Sequence, residues 1–148
     1  MTLLDAPQYD LARAHRRRNL WIGAAVTVVV LAFLTFWFWN WPAEHRVNRF
    51  FEAVEAKDMV KAYGIWNNDA NWQQHPQQYS NYKYGTFLVD WGTSSDWGQI
   101  TSHRIVMSKH TGSGTVIGVE LNKRKTLTFL WVEGKTKQIG FSPVELEY

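Results

Sequence analysis

At 148 residues, 45% hydrophobic and 16% aromatic with nine Trp, the chain has the composition of one folded domain plus an anchor, and a disordered tract is excluded. The absence of Cys removes disulfide scaffolds, thiolate metal sites, thiol nucleophiles and covalently attached haem. The formal net charge of +3 is split along the chain. Residues 1–19 carry four Arg against two Asp, and the remainder is within one charge of neutral, so no electrostatic footprint for nucleic acid is expected.

The mean hydropathy of −0.33 hides one intensely apolar stretch, residues 20–43, which contains no Asp, Glu, Lys, Arg or His. At about 1.5 Å per residue a helix of that length crosses a hydrocarbon core of about 30 Å, so a transmembrane helix is predicted. Trp21 opens the stretch and Trp37, Trp39 and Trp41 close it, as expected of indoles at headgroup level. Arg16, Arg17 and Arg18 stand before the span, whereas Arg46 and Arg49 after it are balanced by Glu44 and Glu52. The positive-inside rule then puts residues 1–19 in the cytoplasm and residues 44–148 in the periplasm, across the cell inner membrane. The stretch exceeds a usual signal-peptide core, lacks an A-x-A-like site and ends in a Trp cluster, so the anchor is expected to be retained.

Beyond the span the apolar residues keep helical spacing at first. Val47, Phe50, Phe51 and Val54 share one helix face, and Met59, Ala62, Tyr63 and Trp66 repeat it in a new phase, with Asp58 as the N-cap between them. A third helix is expected from near Pro76 to Gly92, with Tyr79, Tyr82, Tyr84, Phe87, Leu88 and Trp91 as its apolar positions. The period then falls to two. Ile105 and Met107, then Ile117, Val119 and Leu121, then Leu127, Phe129 and Trp131, then Ile139 and Phe141 are expected inward on about four antiparallel strands. The turns between them are 111–114, 122–125 and 133–135. The fold class is α+β.

Several phrases then support a resemblance: Arg49-Phe50-Phe51-Glu52-Ala53-Val54-Glu55-Ala56-Lys57-Asp58, Lys61-Ala62-Tyr63, Phe87-Leu88-Val89-Asp90-Trp91-Gly92 and Gly98-Gln99-Ile100-Thr101-Ser102. From about residue 45 onward the chain resembles the small bacterial NTF2-like domains of the cystatin-like superfamily. The resemblance implies a cone of N-terminal helices packed on a curved antiparallel sheet, a fold that hosts isomerases, dehydratases, ligand carriers and assembly modules.

An enzyme on such a cone would need an acid or base and an oxyanion partner inside it. The residues available are Asp90, Asp96, His103, Tyr63, Tyr79, Tyr82 and Tyr84, with Asp90 the candidate polar group of a pocket. Asp90 reads first as a helix-end or loop residue that caps backbone N–H groups around Gly92, and His103 has no second ligand at metal spacing. His15 and His45 flank the span without entering it, so no haem or pigment ligand is expected. No catalytic residue, metal or cofactor is predicted. Trp66, Trp91 and Trp131 are expected in the core. Trp72 and Trp97, in polar or Gly-rich sequence, are the candidate partner contacts. Lys123-Arg124-Lys125 is read as a solvated turn.

The expectation is a non-catalytic accessory subunit, held by the bilayer and by other integral-membrane subunits of a larger complex. An electron-transport complex, respiratory or photosynthetic, is the host class in view. The alternative is a membrane-tethered enzyme or carrier with a small-molecule ligand in the cone. A third is a secretion-system scaffold, since the bitopic NTF2-like subunit of type IV secretion systems resembles this layout.

Overall fold

In the computed structural model, which describes residues 11–38 and 40–146, the apolar stretch begins inside a helix, α1 (Leu11–Trp37). Every residue from Leu20 to Phe36 is exposed. Its two hydroxyls are satisfied within the helix, Thr27 donating to the Gly23 carbonyl at 2.9 Å and Thr35 to the Leu31 carbonyl at 2.7 Å. The segment therefore presents only apolar groups, as a helix surrounded by lipid must. Among the described residues this is the one helix long and apolar enough to cross a membrane.

The chain divides into two compact units, Met1–Trp39 and Asn40–Tyr148. The second opens with α2 (Trp41–Glu55), which carries Pro42 in its first turn, where an amide has no partner to lose. The apolar stretch is thus shared between two helices, and Ala43 near its end packs against the core of the second unit.

Within that unit α2 ends as predicted. Lys57 takes a φ of 60°, the Lys57 amide donates to the Val54 carbonyl and the Asp58 amide to that of Ala53, both at 2.9 Å. This is a Schellman ending. Asp58 then caps α3 (Met59–Asn67), its Oδ1 accepting from the Lys61 amide at 3.1 Å. The third helix differs from expectation. Residues 76–79 form only a 3-10 turn, and α4 spans Tyr84–Trp91. Two tyrosines set this geometry: Tyr79 donates to Asp69 Oδ2 at 2.6 Å, and the Tyr63 hydroxyl donates to the Tyr82 carbonyl. Contacts to α3 and its trailing loop thus replace the helical ladder.

The sheet is an open, curved antiparallel meander, β1 (His103–Thr111), β2 (Gly114–Leu121), β3 (Leu127–Glu133) and β4 (Ile139–Phe141), paired in that order. A bulge between Ile105 and Met107 bends its first strand. Ile117, Val119 and Leu121 of β2 enter the core as expected, but β3 runs in the opposite phase. Thr128, Leu130 and Val132 are buried, while Leu127, Phe129 and Trp131 are half-exposed on the other face. Register decides this, because Thr128 pairs with Val119 and Leu130 with Ile117. Trp131 is consequently not a core residue. On that other face Gly118 makes room for its neighbours: a Cβ there would stand 2.8 Å from Met107 Cγ and 3.1 Å from Phe129 Cε1.

Candidate functional site

The place to look for chemistry in this architecture is the space between the helices and the sheet. It is filled by rings. Phe50 lies 4.9 Å from Phe51, 5.3 Å from Trp66, 5.2 Å from Trp91 and 6.1 Å from Phe87, centroid to centroid. Phe50, Phe51 and Phe87 are fully buried, each a hydrophobic contribution of about 1.5–3 kcal/mol. The edge-to-face arrangement around Phe50 is the geometry such ring quadrupoles prefer.

Asp90 sits half-buried on α4, where the Tyr82 hydroxyl donates to its Oδ2 at 2.8 Å. Burial, and then the neighbouring Asp90 carboxylate, push the Tyr82 hydroxyl far above its ordinary range, so it remains a neutral donor. A cavity of about 380 Å³ opens beside Trp66, Tyr79, Tyr82 and Phe141, and Asp90 does not line it. Phe141 closes over this edge of the core, stacked on Trp91 at 5.7 Å. The structure thus joins Asp90 to Tyr82, and among the described residues no further carboxylate or histidine is hydrogen-bonded to the pair.

The other sequence candidates are dispersed. His103 braces β1 to α2, with Nδ1 2.6 Å from Glu55 Oε1 and Nε2 3.1 Å from Asn48 Oδ1, its ring stacked on Phe51. Trp72, expected on the surface, is buried. Its indole donates to the Val60 carbonyl at 3.2 Å and its ring meets Tyr63 and Tyr84 at 4.7 and 4.9 Å. The polar neighbours in sequence pointed outward, whereas the 3-10 turn at 72–74 turns this ring inward. Trp97 is half-exposed beneath the Arg124 guanidinium at 5.7 Å, and Arg124 also donates to the Trp97 carbonyl at 3.1 Å. One member of the basic turn thereby secures the loop before β1, and Asp96 contributes its carbonyl to the same guanidinium.

Of the expected interface residues, Arg16, Arg17, Arg18 and Trp21 are exposed on α1, and Trp41 is exposed on α2, stacked on His45 at 5.1 Å. Trp39 and the Trp37 side chain lie outside the described residues.

Sequence reasoning missed a polar cluster around Asp69. This carboxylate accepts from Tyr79 at 2.6 Å and from the Asn71 amide at 2.9 Å, and its Oδ2 lies 2.6 Å from His75 Nε2. The Tyr79 hydrogen bond foremost, then those of Asn71 and His75, hold Asp69 below the usual carboxylate range against the opposing effect of desolvation. Tyr79 is pushed up to about 12, by burial first and by Asp69 second. The signal available in sequence was an Asp, a His and a Tyr within eleven residues, but no periodicity links them.

Also unanticipated is a groove of about 680 Å³ between α2 and α3, whose lining includes Arg46, Arg49 and Lys61. Arg46 is half-buried and donates to the Ile65 carbonyl at 3.5 Å. Among the described residues no group of three or more His, Asp or Glu is placed to hold a metal ion. No protein-family model, curated protein or solved structure matches the chain significantly.

Proposed function

We propose that this chain is a non-catalytic accessory subunit of a larger membrane complex, with an electron-transport complex as the host class. In this reading α1 anchors it in the inner membrane, the Arg-rich tail is cytoplasmic and an NTF2-like domain stands in the periplasm. The observation that carries the reading is the ring-filled interior. Phe50, Phe51, Phe87, Trp66 and Trp91 occupy the volume in which an enzyme or carrier of this architecture would hold its substrate, and among the described residues Asp90 has the Tyr82 phenol as its one side-chain hydrogen-bond partner. Helices first and a curved meander after, together with the Phe50-Phe51 and Asp90-Trp91-Gly92 phrases, support the NTF2-like assignment. The apolar surface of α1, exposed on every side from Leu20 to Phe36, supports lipid and other integral subunits as its surroundings.

The test is a mild-detergent pull-down of the full chain from native membranes, read by mass spectrometry and by particle size. Co-purification with other integral subunits in stable stoichiometry is expected. Recovery as a free monomer or homodimer would overturn the reading and direct attention to the cavity beside Tyr82.

A further inference from the structure

The groove between α2 and α3 carries more positive charge than its own residues neutralise. Arg46 and Arg49 lie three residues apart on α2, and Lys61 faces the same groove from the first turn of α3. Like charges at that helical spacing oppose folding slightly. Neither Arg49 nor Lys61 makes a side-chain hydrogen bond or ion pair among the described residues. Both carboxylates that line the groove are engaged elsewhere. Asp58 caps α3 through the Lys61 amide, and Asp69 is held by Tyr79, His75 and the Asn71 amide. Burial, and then the charge on Arg49, depress the pKa of Arg46, as expected for a half-buried guanidinium held beside a like charge.

We infer that this groove binds the phosphate of an anionic lipid headgroup. A phosphate fits the donor set: guanidinium forks match its oxygens and a lysine ammonium adds a point charge. The lipid source follows from the position in the chain. The groove is lined by Pro42 and His45, which begin α2 within eight residues of the end of α1. Trp41, an indole of the type that seeks headgroup level, is stacked on that His45. The lipid source rests on reading α1 as a membrane span, whereas the phosphate site itself does not.

The test uses the full chain in detergent micelles, titrated separately with phosphatidylglycerol, phosphatidylcholine and inorganic phosphate, with bound species counted by native mass spectrometry. Phosphatidylglycerol is expected to be retained in preference to phosphatidylcholine. R49Q/K61Q should weaken that retention by about fivefold for each cation removed, over and above any loss in R16Q/R17Q/R18Q, whose exposed arginines also attract anionic lipid. Far-UV melting should show the groove variant folded, because neither side chain has a hydrogen bond or ion pair to lose among the described residues, and the single variants R49Q and K61Q serve if the double one melts early. Equal retention of the two lipids, unchanged retention in R49Q/K61Q, or loss confined to the tail variant would each overturn the site. Displacement of the lipid by inorganic phosphate at equal concentration would keep the phosphate site and overturn the lipid as its source.

Discussion

The α1 helix and the domain unit treat large apolar side chains in opposite ways. On α1, Trp21 is 77% and Phe36 81% exposed, while in the domain Phe50, Phe51 and Phe87 are at 0%. Both regions are rich in apolar residues, so hydrophobicity alone does not distinguish them. The difference lies in where polar groups fall. α1 has an apolar run with no polar side, long and apolar enough to cross a membrane. The domain interrupts its apolar residues at helical or strand spacing, and each element covers the apolar face of another.

Four substitutions or titrations would break or sharpen this contrast. The largest effect is expected for Phe50→Ala, which deletes a ring touching Phe51, Trp66, Phe87 and Trp91. A loss of about 3–5 kcal/mol should lower the Tm by about 15 °C or more in a thermal melt. A smaller loss would mean that the ring cluster is not the centre of the domain's stability. Next comes Val29→Arg, at the middle of the exposed apolar run. It should cost about 3 kcal/mol of membrane insertion in a glycosylation-reporter assay while leaving the domain's Tm unchanged. An unaltered inserted fraction would contradict lipid as the environment of α1.

Asp58→Ala removes the cap of α3 and should cost about 1 kcal/mol, read as a shift in Tm of several degrees. The smallest effect concerns pH. Burial first and Asp69 second push the Tyr79 hydroxyl from its ordinary 10.0 up to about 12 in the folded state. Its contribution to stability is therefore complete below about pH 10 and disappears as pH rises through the folded value. Tyr79→Phe should remove one late ionisation from an absorbance titration at alkaline pH and flatten the loss of stability across that interval. If the late ionisations are unchanged, Tyr79 and Asp69 are not coupled in solution.

Much of the fold is legible along the chain. The phase jump from Val54 to Met59 shows a helix junction, and Asp58 shows where the second helix starts, because helical spacing and capping are local effects. The third helix is less legible. Its tyrosines are all amphipathic and suit either a helix face or a hydrogen-bonded loop, and distant partners, Asp69 and the α3 tyrosine Tyr63, decide between the two. The phase of β3 is hidden for a related reason. Leu127, Phe129 and Trp131 are at least as apolar as Thr128, Leu130 and Val132, so alternation identifies a strand without saying which side faces the core. The candidate sites follow the same division. The sequence isolates Asp90 but not its pairing with Tyr82, and it shows the basic residues of α2 and α3 without placing Arg49 and Lys61 in one groove.

By itself, then, the sequence determined the apolar helix, the α+β order of elements and the helix junction at Asp58, all of which depend on residues within a few positions of one another. Only the tertiary structure decided that rings fill the interior, that Trp72 lies inside and Trp131 on the outer face of the sheet, and that three cations share a groove whose carboxylates are already bound. Each of those outcomes depends on register and on contacts between distant segments, which no local pattern of residues encodes.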